Sequence, residues 1–184
     1  MQLIGLIHDM GKSMCVLPGG GLKEDGQYRG AEGPQFALGG DTWVVGCALP
    51  SHCMVLPEFN RLNADTQDAR YNTPLGVYER GCGIMNVQFA YGHDEYMYRF
   101  CVHNKCAFPR EGMAMLRLHS CYPWHSGGAY RELMADGDEA LLEAVRDFNQ
   151  FDLYTKSDAR PNVAALWPDY QALIDKFMPG ELAW

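Results

Sequence analysis

Apolar residues recur at helical spacing in five stretches of this chain, and polar passages rich in Gly and Pro separate them. The first, Leu3 to Lys12, reads LIGLIHDMGK; as a helix it places His8, Asp9 and Lys12 on one side, because residues three and four apart are neighbours. In the second, Ile84 to Val102, an apolar stripe of Phe89, Ala90, Met97 and Phe100 has His93 inside it. His93 is therefore expected to face the core, with Asp94 and Glu95 stepping off that face to supporting or solvated positions. A turn from Cys106 to Gly112, containing Pro109, reverses the chain into the third stretch, Met113 to Tyr122, where His119 shares a face with Met115 and Leu116. Two helices joined so closely bring His93 and His119 face to face. The fourth stretch, Asp138 to Lys156, buries Leu141, Val145 and Phe148, and Asp152 lies one turn beyond Phe148 on the same stripe. The fifth runs from Val163 to Phe177, with Pro168 early in it and Pro179-Gly180 closing it.

Between these stretches, Pro18 to Gly33 (PGGGLKEDGQYRGAEG) has a glycine and charge content unsuited to helix or strand and reads as a flexible surface excursion. Gly39-Gly40-Asp41-Thr42 leads into a short β-like run, Trp43-Val44-Val45. Its glycines either let backbone amides approach a ligand or form a plain turn capped by Asp41. Pro50 to Asn72, rich in Pro, Asn and Asp, is expected to be irregular with short helices. No internal repeat is visible, and 184 residues suffice for one domain with its own core.

Charge narrows the partners. A net charge of -8 and a pI near 5.1 repel nucleic acid and anionic membrane surfaces, which leaves a neutral small molecule open. The first apolar run lacks a basic region before it and is broken by His8 and Asp9, so no secretory signal is read there, and no run is long enough to span a bilayer. Seven scattered cysteines, an odd number, fit a reducing compartment, and the cytoplasm is the expected location. The close pairs Cys47 and Cys53, Cys101 and Cys106, and His103 and Cys106 make no CxxC knuckle, so free buried thiols are expected in place of a zinc site.

The inward ligand-type residues are His8, Asp9, His93, His119 and Asp152. Buried without partners, such groups cost several kcal/mol each, so they require a metal, an opposite charge or water. An ordinary alternative exists for each carboxylate, since Lys12 follows Asp9 by three residues and Lys156 follows Asp152 by four; a single histidine can be a satisfied core residue. Three imidazoles and two carboxylates together suit a two-metal site of iron, manganese or zinc, with Asp9 able to bridge ions about 3.5 to 4 Å apart. Gly11-Lys12-Ser13 also has the form of a phosphate-loop tail. However, five residues in place of four separate Gly5 from Gly11, and Asp9 among them would repel phosphate.

The adjacent His8-Asp9 with later histidines and an aspartate resembles the HD-domain superfamily, and the wording of the motifs resembles the myo-inositol oxygenase family. The matching blocks are LIHDMGK (Leu6 to Lys12), GGDTW (Gly39 to Trp43), YNTPLGVYERGCG (Tyr71 to Gly83), YGHDEYMY (Tyr91 to Tyr98), LHSCYPWH (Leu118 to His125), FNQFDLYTKS (Phe148 to Ser157) and the closing LIDKFMPGELAW. An HD pair alone is weak; seven blocks in the family's order are specific. The resemblance implies an all-α fold, an HD-domain-like helical bundle around a mixed-valent di-iron centre, with at most a short β-hairpin. It implies O2-dependent cleavage of the myo-inositol ring to D-glucuronate by a monomer. By motif position, His8 and Asp152 are expected to ligate one iron and His93 and His119 the other, with Asp9 bridging. Lys12, Gly40, Asp41, His119 and Ser120 fall where the family contacts inositol, and Lys156 falls at a pocket lysine. Asp9 and Lys12 are the residues expected to carry catalysis. A neutral polyol offers only hydroxyls, so lysine, aspartate, serine and backbone donors would orient it while iron acidifies a hydroxyl and binds O2.

Two departures from the family are visible. The family carries a segment upstream of the HD motif that supplies a further histidine ligand, whereas this sequence starts at Met1 just before the motif. The iron held by His8, Asp9 and Asp152 is therefore expected to be one ligand short unless water, His52 or His125 takes the place, and activity of this chain alone is expected to be low. The Pro18 to Gly33 excursion is also longer than the family's connection. The rivals are an HD-type metal-dependent phosphohydrolase, disfavoured by the acidic balance and the lack of an arginine cluster near the ligand motifs, and a truncated, non-catalytic family member.

Overall fold

Six α-helices carry the computed structural model, which describes residues 1–15, 21–22, 28–29, 41–152 and 160–184. They are α1 (Gln2–Ile7), α2 (His93–His103), α3 (Arg110–Leu118), α4 (Tyr122–His125), α5 (Asp138–Asp152) and α6 (Val163–Phe177). The architecture is all-α, as the family resemblance implied. Within the Pro18 to Gly33 excursion, Gly21–Leu22 pairs antiparallel with Tyr28–Arg29. Those four residues correct the expectation that no strand could form there. Pro50 to Asn72 contains three 3-10 turns, Ser51–Cys53, Pro57–Leu62 and Ala64–Gln67, as the composition suggested.

Four helix boundaries differ from the periodicity, one of them the start of α3, at Arg110 and not Met113. α1 stops at Ile7 and a 3-10 turn, Met10–Cys15, follows, so the expected single helix breaks at the His8-Asp9 step. α2 starts only at His93: Phe89 instead forms an antiparallel bridge with Val44, Val45 N–H donates to the Gln88 carbonyl, and Ala90 N–H donates to the Trp43 carbonyl. Buried Val87 and Phe89 flank exposed Gln88, the alternation of an extended segment, and Phe89 mimics a helical stripe only because it lies four residues before His93. α3 ends at Leu118 with His119 as its C-cap, and the chain turns into α4 ahead of Pro123, so the helix expected through Tyr122 is two elements.

Two apolar clusters meet at α3. Ala114 and Leu118 join a cluster with Val44, Ile84, Trp124, Leu133, Leu142 and Val145. Met115 and Leu116 join another with Leu3, Ile4, Ile7, Met97 and Phe148, on which Tyr170, Leu173 and Phe177 of α6 rest. α6 starts where the Asn162 side chain accepts the Ala165 N–H. Asp138, fully buried at the start of α5, accepts the Ile84 and Ala135 N–H groups and pairs with Arg110 at 2.7 Å, which fixes α5 against the loop before α2.

Glu95 and Asp94 are each 1% exposed, so of the two expected alternatives, supporting or solvated, the solvated one does not hold. Glu95 Oε2 accepts from Arg117 Nε at 2.6 Å, and Arg117 donates further to the Met85 and Val87 carbonyls while lying over the Phe89 and Tyr98 rings. The pair closes between α2 and α3, with Glu95 two residues after His93 and Arg117 two before His119. Judging Glu95 on its own helix face misses it. Replacing one member of a buried ion pair leaves an uncompensated charge, so Arg117→Met is expected to lower unfolding free energy by roughly 3 kcal/mol in urea titration, with Arg99, half-exposed, rescuing little. The exposed Arg80–Glu132 pair, disrupted by Arg80→Met, should leave the midpoint nearly unchanged.

Candidate metal centre

Helix ends deliver the ligand-type side chains to one place. His8 caps α1 and donates from Nδ1 to the Gly5 carbonyl at 2.9 Å; His119 caps α3 and donates from Nδ1 to the Leu116 carbonyl at 3.0 Å. In both, the imidazole satisfies a last-turn carbonyl three residues back, which leaves Nε2 as a lone-pair donor aimed away from the helix. His93 is the first residue of α2, and its Nε2 lies 3.1 Å from that of His119. Asp152 is the last residue of α5, with Oδ1 2.9 Å from His8 Nε2.

Asp9 sits among them. Its Oδ1 is 2.7 Å from Lys12 Nζ, 3.2 Å from His93 Nε2 and 3.8 Å from His119 Nε2, while its Oδ2 is 3.7 Å from His8 Nε2. Burial penalises this carboxylate, but hydrogen bonds from His119, His93 and Lys12 and the charge of His8 outweigh that and hold it well below the usual carboxylate range. The Asp9 segment reaches α2 because of Gly11. A β-carbon there would lie 2.9 Å from the His93 carbonyl carbon and closer still to its oxygen. The Phe148 ring stands edge-on to His8 at 5.3 Å and to His119 at 6.3 Å, an apolar wall on one side.

The donor set fits a metal. With Nδ1 of His8 donating to Gly5, its Nε2 lone pair faces a carboxylate oxygen of Asp152, and the Nε2 atoms of His93 and His119 face each other; only protons or a cation relieve such contacts. Ligand atoms of His8, Asp9 and His119 lie within 4.8 Å of one another, the one such group of three among the described residues. Imidazole nitrogen with carboxylate oxygen is the ligand chemistry of iron, manganese and zinc.

The remaining expected site residues lie around this cluster. Ser120 is buried, with Oγ 3.4 Å from His93 Nε2, and its carbonyl accepts the Thr42 N–H at 2.9 Å, so exposed Asp41 is held next to it. Gly40 and Lys156 lie outside the described residues. His52 is exposed on its 3-10 turn, and His125 has both ring nitrogens in hydrogen bonds, so neither fills a ligand position here. Among the described residues, Cys47, Cys101 and Cys121 are buried free thiols, whereas the free thiols Cys53, Cys82 and Cys106 are only partly buried, which corrects the expectation for those three. His125 is the residue beside the cluster that periodicity could not show, since its place depends on the turn between α3 and α4.

Comparison with known proteins gives the chain a family. A family model described as myo-inositol oxygenase matches residues 1–184. The chain is 44% identical over 183 residues to an inositol oxygenase of Danio rerio, covering 100% of this chain and 61% of that protein. It is 44% identical to an inositol oxygenase of Mus musculus and 42% identical to one of Dictyostelium discoideum, each time covering 59% of the relative. The chain thus spans about three fifths of the length of the curated relatives it matches. None of the described helices is long and apolar enough to cross a membrane. A full-length match to the family model, on a helical chain with histidines and aspartates gathered at one centre, establishes that this chain belongs to the myo-inositol oxygenase family.

Proposed function

We propose that this centre serves an inositol oxygenase, holding two irons that use O2 to open the ring of myo-inositol to D-glucuronate. The observation that carries the reading is the position of Asp9: one oxygen faces His93 and His119, and the other faces His8, which is paired with Asp152. In this reading His8 and Asp152 would hold one iron and His93 and His119 the other, with Asp9 available to both. Bound iron supplies Lewis acidity toward a substrate hydroxyl and a site for O2 reduction.

The chain's own residues do the rest. Lys12, about one-third exposed, keeps Asp9 ionised and turns its remaining ammonium donors toward the open side, where a hydroxyl can accept. Ser120 offers a hydroxyl beside His93, and Asp41 offers an acceptor at the exposed rim. Gly40 and Lys156 complete the polyol contacts by sequence position. Phe148 keeps water from the back of the histidines, which strengthens each polar contact in front of it. Free thiols suit a cytoplasmic setting. A phosphohydrolase reading finds less support, because Arg117, two residues from His119, directs its guanidinium to Glu95 and two backbone carbonyls and leaves no fork for a phosphate.

Iron per chain, O2 uptake and glucuronate formation with myo-inositol, measured on the chain joined to the upstream histidine-bearing segment of a family member, test the proposal, and such a protein that binds iron yet neither consumes O2 nor yields glucuronate would refute it. Asp152→Asn is expected to lower iron content together with activity, since an amide is a poor substitute for an anionic ligand; unchanged iron would make Asp152 merely the hydrogen-bond partner of His8. Ser120→Ala should keep its iron and lose roughly 1 to 3 kcal/mol of transition-state binding, read from kcat/KM for inositol. Loss of iron in that variant would move Ser120 from substrate contact to support of His93.

A further inference from the structure

We infer that His125 is a positioning residue for the metal centre, acting through the backbone of His119. The inference rests on the reading of His119 as a metal ligand. His119 is the C-cap of α3, and carbonyls in the last turn of a helix have no acceptor role inside it. The His119 carbonyl is met by His125 Nε2 at 2.9 Å across the short turn at Ser120 and Cys121. A carbonyl only accepts, so Nε2 carries the proton; Nδ1 is then the acceptor and takes the Ser126 hydroxyl at 2.9 Å. Burial pushes the imidazole pKa down, and the ring, 1% exposed, is neutral in this arrangement. The His125 carbonyl in turn accepts from Arg146 Nε of α5 at 2.6 Å, so the ring is anchored to a second helix.

The consequence falls on two site residues at once. The His119 side chain is held through Nδ1 by the Leu116 carbonyl, and its own carbonyl is held by His125. The next carbonyl, that of Ser120, is held by the Thr42 N–H. The two peptides that flank Ser120 are thus each held through their carbonyl, and with them the direction of the His119 ring and the Ser120 hydroxyl. An apolar side chain would fill the His125 site without desolvating two ring nitrogens, so an imidazole there reflects its hydrogen bonds more than its volume. Nothing in its geometry makes His125 a ligand itself, because both nitrogens are engaged.

The test is a Co(II) titration of the purified chain, read by visible ligand-field absorption, on wild type, His125→Gln, His125→Asn and His119→Ala. Glutamine places an amide N–H near the Nε2 position and can still reach the His119 carbonyl; asparagine places its amide near Nδ1 and cannot. His125→Gln is expected to stay within about threefold of wild-type Co(II) affinity with the same spectrum, and His125→Asn to weaken binding roughly tenfold with altered bands, the size seen when a group orienting a metal ligand is removed. Equal affinity and spectra for the two variants, whether both resemble wild type or both are impaired, would overturn the proposal. So would loss of the folded circular dichroism signal in His125→Asn alone, because the role would then be stability. Wild-type Co(II) binding by His119→Ala would instead refute the underlying reading of His119 as a ligand, whatever the His125 variants do.

Discussion

Asp9 brings a half-exposed carboxylate in among His8, His93 and His119, where partial burial opposes its charge and the surrounding structure compensates. The compensation comes from helix ends in place of helix faces. α1 and α3 finish there and α2 begins there, so groups that would otherwise be unsatisfied backbone carbonyls become anchors for imidazoles. The end of α5 brings the second carboxylate. A bundle whose helices ran past this point would bury the same residues and lose the convergence of their side chains.

Supporting pairs keep those ends in place. The Glu95–Arg117 pair binds α2 to α3 two residues from each of the two histidines, and the Arg117 contacts with the Met85 and Val87 carbonyls draw in the segment before α2. Asp138 does the same for the start of α5 through backbone donors on both sides. Such buried charges add little net stability over apolar packing, but they tolerate only one mutual register of the helices. That selectivity suits a centre whose side chains must meet within a few ångströms.

Much of this was legible in the sequence, and the gaps have definite physical causes. His93, His119 and Asp152 were found because each continues an apolar stripe at helical spacing, and His8-Asp9 because it interrupts one. The start of α2 was misplaced because Phe89 satisfies a helical and an extended pattern at once. Periodicity leaves Glu95 either supporting or solvated because it describes one helix at a time, whereas its partner sits on the neighbouring helix. His125 could not be found from any periodicity, since a turn decides which atom it faces. What patterning cannot give is a division of these side chains into two groups, which rests on the family blocks alone; the two oxygens of Asp9 face His93 on one side and His8 on the other.

Gly11 gives the centre one fixed jaw. Where it crosses the start of α2, main chain meets main chain with no side chain between, so the separation of the Asp9 segment from His93 is a van der Waals dimension that no substitution in that turn can shorten and any larger residue can only widen. The opposite jaw is different in kind: Asp152 reaches His8 from the last residue of α5, through a side chain with its own rotamers. Adaptation of this scaffold to an ion of another radius would therefore run through α5 and its end, with the His8-Asp9-Gly11 segment serving as the calibrated reference against which the gap is set.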